Sequence, residues 1–304
     1  MGKDLIVGVV DRYGWEQIKY WANSIKLSGF TGHKALLVYN MDADTVKKLT
    51  DEGFMIIGCN QFDEKEGFTH DNSRGSVMVD RFFHLYSLLE MVDSPMEIDR
   101  VIMTDVRDVV FQSNPTDWLN TYFLPHYKVV VGSENMTYAS EPWGRNNIKQ
   151  VFGDYFYDLN KAKEIYCAGV IAGTRMAIKD LALNIWLICR GLNPQVPGGG
   201  GPDQAAMNVA LGLDSYKFAT LFTEPTKGWV VHAGTSLPAI QAGSGGIGEE
   251  YLKNPNMSLP FVKDIKYTFV NGEVYANDTK MSIVHQWDRV PEWKDTFEKK
   301  YGDQ

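Results

Sequence analysis

The chain has 304 residues, 44% hydrophobic and 22% charged, a balance that excludes a disordered or fibrous protein and is enough to bury a substantial core. Thirty basic residues against 38 acidic ones leave a net charge of −8 at pH 7, a field that opposes nucleic acid as a partner. Cys59, Cys167 and Cys189 are far apart in apolar settings; this excludes a disulfide framework or a CxxC metal site and fits a reducing compartment.

The N-terminal stretch M-G-K-D-L-I-V-G-V-V has no long signal-type apolar segment, and no run approaches the roughly 20 apolar residues that span a bilayer. A cytoplasmic protein without a membrane span is the expectation. Residues 5–10 (L-I-V-G-V-V) form an almost wholly apolar run, as a parallel strand covered on both faces requires. Ile18, Trp21, Ala22 and Ile25 then recur at helical spacing over residues 15–27, which Gly29 closes. A second strand over residues 35–39, a polar helix over 42–52 with Val46 and Leu49 inward, and a third strand over 55–58 complete a β-α-β-α-β unit. The chain is therefore expected to be α/β, with a mostly parallel, Rossmann-like central sheet and helices on both faces.

In such sheets ligands gather beyond the carboxyl ends of the strands. Asp11, Arg12 and Tyr13 occupy a ligand-facing position on that ground, although a plain strand-to-helix turn explains Asp11-Arg12-Tyr13-Gly14 equally well. Residues 61–76, with Gly67, His70, Asp71 and Asn72, read as a polar loop that covers a site. From Val77 a helix follows, with Val79, Phe82, Phe83, Tyr86, Leu89 and Met91 as its apolar residues. Arg81 sits on it, facing either solvent or the ligand, and His84 reads as a surface position.

Residues 100–115 (R-V-I-M-T-D-V-R-D-V-V-F-Q-S-N-P) organise the rest. Two carboxylates, Asp105 and Asp108, interrupt an apolar run that should be a buried strand. A buried anion persists only when paired, hydrogen-bonded or bound to a metal. Arg107 between them is one candidate partner and makes the stretch a neutralised turn. The other reading is a metal-binding strand end that holds a phosphate-bearing ligand, because an acidic protein needs a cation to bind phosphates.

A short helix over residues 118–123 and a strand over 128–132 lead to Ser133-Glu134-Asn135. Residues 138–160 carry Trp143, Tyr155 and Tyr157, either a stacking surface for a sugar or an aromatic core insert. Residues 166–174 (Y-C-A-G-V-I-A-G-T) form a strand whose two glycines mark close approach of a backbone or ligand. A helix over 176–189 precedes a Pro- and Gly-rich stretch, residues 194–201, which lacks the G-K-S/T of a phosphate cradle. Asp203 opens the helix that runs to Leu211, where capping is its simplest role. The last third offers strands over residues 217–222, 228–232, 267–270 and 282–284, a Gly/Ser loop over 242–248 and a turn at Asn271-Gly272. The final strand runs into His285, a candidate metal ligand whose neutral imidazole suits Mn²⁺ beside carboxylates, although a lone histidine is a weak signal. No internal repeat and no linker divides the chain, so residues 1–304 read as one domain.

Four motifs in this order, T-D-V-R-D-V-V-F, C-A-G-V-I-A-G, G-P-D-Q-A-A-M-N and I-V-H-Q-W-D-R, resemble those of GT-A glycosyltransferases. The likeness is nearest to the retaining branch with glycogenin and the bacterial lipopolysaccharide galactosyltransferases. The resemblance implies a nucleotide-binding half over residues 1–132 and an acceptor and donor-sugar half over 133–304. It implies Mn²⁺ or Mg²⁺ held by Asp105, Asp108 and His285 on the diphosphate of a nucleotide-sugar donor, and a glycan or glycoconjugate acceptor. Asp203 and Gln204 resemble the D-Q pair that lies against the donor sugar, which makes them the catalytic candidates. Val10, Asp11, Tyr13, Arg81, Asp105 and Arg107 are the expected nucleotide contacts. The acids here are spaced D-x-x-D rather than D-x-D, which leaves Asp105 to either the metal or the ribose, and Cys167 stands where the branch often has Asn. A sugar-nucleotide pyrophosphorylase lacks support because residues 11–16 (D-R-Y-G-W-E) are no Gly-rich, Arg-containing loop. A glycan-binding module without activity would not need the acids.

Overall fold

The computed structural model describes residues 3–59, 62–68, 77–91, 97–192 and 199–302. Strands β1 (Lys3–Asp11), β2 (His33–Asn40) and β3 (Met55–Gly58) alternate with helices α1 (Trp15–Leu27) and α2 (Ala43–Asp51), and the strands pair in parallel. Inside the expected polar loop, β4 (Phe62–Asp63) and β5 (Gly67–Phe68) form a small hairpin. Gly67, at φ +83°, allows this hairpin to press on the Met41 backbone, where a Cβ would lie 2.1 Å from the carbonyl oxygen. His70, Asp71 and Asn72 lie outside the described residues, as do residues 194–198 of the Pro- and Gly-rich stretch.

Helix α3 (Val77–Met91) precedes β6 (Ile98–Thr104) and β7 (Val109–Phe111). Its inward stripe is Val79, Phe82, Leu85 and Leu89, whereas Phe83 and Met91 are exposed, contrary to expectation. Next come α4 (Pro115–Tyr122), β8 (Val129–Thr137), α5 (Pro142–Asn160), β9 (Glu164–Thr174), α6 (Arg175–Cys189) and α7 (Asp203–Leu211). The strand expected over residues 217–222 begins later, because Lys217 closes α8 (Asp214–Lys217); β10 is Thr220–Thr223. Strand β11 (Val230–His232), α9 (Leu237–Gln241) and α10 (Gly245–Lys253) follow. The expected Gly/Ser loop is therefore half helix: Gly248 lies on α10, so close to Gly243 that a Cβ would come within 2.5 Å of its carbonyl carbon. An antiparallel meander, β12 (Tyr267–Val270), β13 (Glu273–Ala276) and β14 (Thr279–Lys280), leads to β15 (Ile283–His285) and α11 (Pro291–Gly302). Asn271 and Gly272, both at positive φ, turn β12 into β13, as the primed hairpin turns demand.

The main sheet has seven strands in the order β10-β8-β9-β6-β1-β2-β3. Six run parallel, and β9 opposes its neighbours β6 and β8. Alternate residues of each strand enter separate cores. Leu5 and Val7 meet Val79, Phe82 and Leu85 of α3 and Ile178 and Leu181 of α6 on one face. Ile6 and Val10 meet Ile18, Trp21 and Ile25 of α1 on the other. A one-residue slip would exchange the faces of a whole strand, so this two-sided burial specifies the register strongly. A second, three-stranded sheet in the order β11-β15-β7 stacks on the α1 side, with a core of its own that includes Val110, Val231, Val284 and Trp287. The result is a mixed α/β fold whose central sheet is flanked by helices. Among the described residues no helix is long and apolar enough to cross a membrane, and all three cysteines are free thiols.

Candidate metal centre

The D-x-x-D stretch is not one strand. Strand β6 ends at Thr104, residues 105–108 turn, and β7 pairs antiparallel with β15 in the second sheet. The two acids thus sit where the chain steps between sheets, at the carboxyl end of β6. The Asp105 backbone N–H donates to the Gly169 carbonyl on β9 (2.8 Å), and the Gln286 N–H, just beyond β15, donates to the Asp108 carbonyl (2.6 Å). Three strands therefore fix the turn.

His285 ends β15 in register with Val109 of β7 and His232 of β11. Its ring lies directly on Gly169, where a Cβ would stand 2.3 Å from Cε1. The neighbour here is a side chain, not the backbone or ligand that a glycine in a strand was expected to mark. Gly173, the second glycine of β9, answers to a backbone instead: a Cβ there would lie 2.2 Å from the Lys128 carbonyl oxygen.

Asp105, Asp108 and His285 present their ligand atoms to one point. His285 Nε2 is 3.6 Å from Asp105 Oδ2 and 3.8 Å from Asp108 Oδ1, and one atom from each residue lies within 4.8 Å of the others. Two carboxylate oxygens and one imidazole nitrogen form a donor set able to hold a divalent cation. A second cluster, Cys167, His232 and His285, adjoins it through the other nitrogen of His285.

The charges around the acids are unequal. Arg81 is buried and bridges Asp105 (Nη1 to Oδ1, 2.8 Å) and Asp203 (Nη2 to Oδ2, 2.5 Å). Burial pushes Asp105 up, but Arg81 and His285 outweigh it and hold the carboxyl well below the usual range. Asp108 is raised, by burial first and then by Asp105 and Asp288, against the pull of His285 and of Arg107 at 3.4 Å. Arg107 also reaches Asp288 at 3.6 Å. The sequence alternative is thus half realised: Arg107 leans on Asp108, while Arg81 neutralises Asp105.

Asp203 does not cap α7: Pro202 is the cap residue, and the Ala205 N–H of the first turn donates to Asn147 Oδ1 (2.9 Å); the Asp203 carboxylate belongs to the Arg81 pair. Gln204 is held at both ends: its Oε1 accepts from the Ala168 N–H (3.1 Å), and its Nε2 donates to Glu134 Oε1 (3.1 Å). Glu134 is buried, and desolvation, then the Glu141 charge, push its carboxyl up to about 7.

These groups line a cleft of about 1060 Å³. Pockets for small ligands and cofactors span roughly 300–1,000 Å³, so a ligand as large as a nucleotide conjugate has room. Asp11, which ends β1, Tyr13 just beyond it, and Arg107 are among the lining residues. Asp11 also accepts from Asn40 Nδ2 (2.5 Å). Glu141, Trp143, Asn146 and residues 199–201 line the cleft as well, with the Trp143 indole N–H donating to the Gly199 carbonyl (2.8 Å). The expected aromatic segment is thus helix α5, and Trp143 at its start reaches the cleft.

Val10 is the one expected contact whose side chain the fold turns away. Successive strand residues face opposite sides, so Val9 lines the cleft and Val10 is buried under α1. His232 was not among the candidates, although V-V-H at residues 230–232 repeats the pattern of I-V-H at 283–285. Neither protein-family models nor curated proteins match this chain, so the functional reading rests on the site itself.

Proposed function

We propose that this chain is a metal-dependent glycosyltransferase of the GT-A type, which moves a sugar from a nucleotide diphosphate sugar to a hydroxyl of a glycan or glycoconjugate. The observation that carries this reading is the Asp105–Asp108–His285 cluster at the carboxyl end of β6, opening into a cleft of about 1060 Å³ in a protein of net charge −8. Mn²⁺ or Mg²⁺ held there would supply Lewis-acid stabilisation to the departing diphosphate.

The chain's own residues have separable tasks. Asp105, Asp108 and His285 hold the cation, and Arg81 fixes the orientation of Asp105. Asp11, Tyr13 and Arg107 form the wall on which the nucleotide lies, with Arg107 the cation nearest a phosphate. Asp203 and Gln204, at the start of α7, flank the donor sugar. Because their polar atoms already bond Arg81, Ala168 and Glu134, they hold that wall rigid. Trp143 offers an aromatic face to an acceptor sugar. Retention of anomeric configuration follows from the resemblance to the retaining branch, and free thiols fit a cytoplasmic setting.

A screen of nucleotide sugars for slow donor hydrolysis, with Mn²⁺ and with EDTA, tests the reading. Metal-dependent release of one nucleotide diphosphate is expected. Calorimetry showing equal affinity for UDP and GDP, with and without Mn²⁺, would count against it.

A further inference from the structure

Strands β11 and β15 are parallel neighbours and place His232 and His285 at the same register, so both rings leave the same face of the second sheet. They enter the gap between the sheets, and two glycines of the main sheet make room for them. A Cβ at Gly132 would stand 2.2 Å from Val230 Cγ1 and 2.8 Å from His232 Nε2, and one at Gly169 would strike the His285 ring. Both imidazoles are 2% exposed, so neither can find its hydrogen bonds in bulk water.

The rings stand nearly perpendicular, at 89°, with their two Nδ1 atoms 2.9 Å apart. At that distance two nitrogens share one proton, and two neutral rings can place it in two ways. If His232 carries it, the proton of neutral His285 sits on Nε2, between the ring and the two aspartates, where it blocks coordination. If His285 carries it, His285 Nε2 has a free lone pair. His232 then keeps its own proton on Nε2, which has no hydrogen-bond partner among the described residues but faces the backbone at Gly132.

We propose that His232 is a positioning residue for the cation site: its Nδ1 accepts the Nδ1 proton of His285 and so fixes the tautomer that aims an unprotonated Nε2 at Asp105 and Asp108. The inference rests on the cation reading of the preceding section. A ligating histidine is commonly oriented through the hydrogen bond of its other nitrogen, and loss of that partner costs on the order of 10- to 100-fold in metal affinity. Here the partner is a second imidazole, which at neutral pH is uncharged and adds no negative charge to a cleft already rich in acids.

The test uses the full chain with ¹⁵N-labelled histidine. Long-range nitrogen–proton spectra of the metal-free protein, at a pH where His285 is neutral, should show His285 protonated at Nδ1 and His232 at Nε2; a proton on His285 Nε2 overturns the inference. Mn²⁺ titrations followed by electron paramagnetic resonance then compare two variants. His232→Leu, which removes the acceptor, should bind Mn²⁺ on the order of 10- to 100-fold more weakly. His232→Asn, whose amide oxygen replaces Nδ1 as acceptor, should recover most of that loss. Wild-type affinity in a folded His232→Leu protein overturns the proposal. If His232→Leu does not fold, the wild-type spectra decide alone. A wild type that binds no Mn²⁺ sinks the cation reading instead, and the tautomer spectra still decide the role of His232.

Discussion

Asp105 and Asp203 share one guanidinium: Arg81 donates to both, at 2.8 and 2.5 Å, and so ties the turn after β6 to the start of α7. Arg81 and Asp203 are both buried, and a buried carboxylate left without its cation costs about 3–5 kcal/mol. Arg81→Met should therefore destabilise the fold by an amount in that range, measured by urea unfolding. A loss under about 1 kcal/mol, typical of an exposed pair, would show that the bridge is not structural.

Asp108 is in the opposite condition. Its carboxyl is raised by burial and by neighbouring acids, against His285 and Arg107. A carboxyl whose folded value lies above its unfolded one favours the protonated native state, so the ionised form opposes folding at neutral pH. Asp108→Asn should then raise the melting temperature in EDTA at pH 7 while abolishing the stabilisation that Mn²⁺ gives the wild type. A variant that melts lower in EDTA would assign Asp108 to the Arg107 ion pair instead.

His285 sets a pH dependence. Burial lowers it, but the Asp105 carboxylate 3.6 Å from Nε2 and the charges of Asp108 and Glu134 more than reverse that, and the net shift is upward. In the metal-free protein the raised imidazolium stabilises the fold at low pH, a contribution lost as pH rises through its folded value. Cation binding runs the other way, since the proton must leave first. Mn²⁺ affinity should begin to fall already above pH 6.5 on acidification, steepening toward tenfold per pH unit. His285→Ala should weaken binding on the order of 10- to 100-fold or more and flatten the profile. A wild-type affinity that is equal at pH 6 and pH 8 would remove His285 from the site.

The two glycines of β9 separate packing from coordination. Gly169→Ala puts a methyl into the His285 ring, and Gly173→Ala puts one into the Lys128 carbonyl. Each overpacked site should lose about 1–3 kcal/mol of stability. Only Gly169→Ala should also weaken Mn²⁺ binding, as titration of both variants would show. Equal metal affinity in the two would mean that the His285 ring can shift without leaving the site.

Legibility in the sequence followed the physics of each element. Two-sided burial writes itself as unbroken apolar runs, so β1 and β2 were legible; β3, a half-buried edge strand, was legible from its short apolar run, and α1 from Ile18, Trp21, Ala22 and Ile25. The acids at 105 and 108 and the imidazole at 285 were legible because a charge or a ring nitrogen inside an apolar run needs a partner. Which face a residue takes was less so: Val9 and Val10 are the same residue type, and only the pleat tells them apart. The hairpin at β4 and β5 and the start of α10 were hidden, since short polar strands and glycine-bearing helix ends rely on tertiary contacts that composition does not show. His232 carried the same signal as His285, an imidazole ending an apolar run, but only the pairing of β11 with β15 sets the two rings side by side.

The second sheet also fixes an order of assembly. Its central strand is β15, flanked by β11 and β7, and β7 directly follows the acidic turn. A ribosome therefore delivers Asp105 and Asp108 long before the strand that must lie against them. Until β15 arrives, β7 and β11 have no common neighbour, and the apolar residues Val110 and Val231 have no shared core to enter. Such long-range pairing forms slowly and leaves strand edges open in the interim. A nascent chain could thus build the parallel half early and still carry an unfinished cation site until residues 283–285 emerge. Pulsed hydrogen exchange on stalled chains should find β1 and β2 protected well before β7.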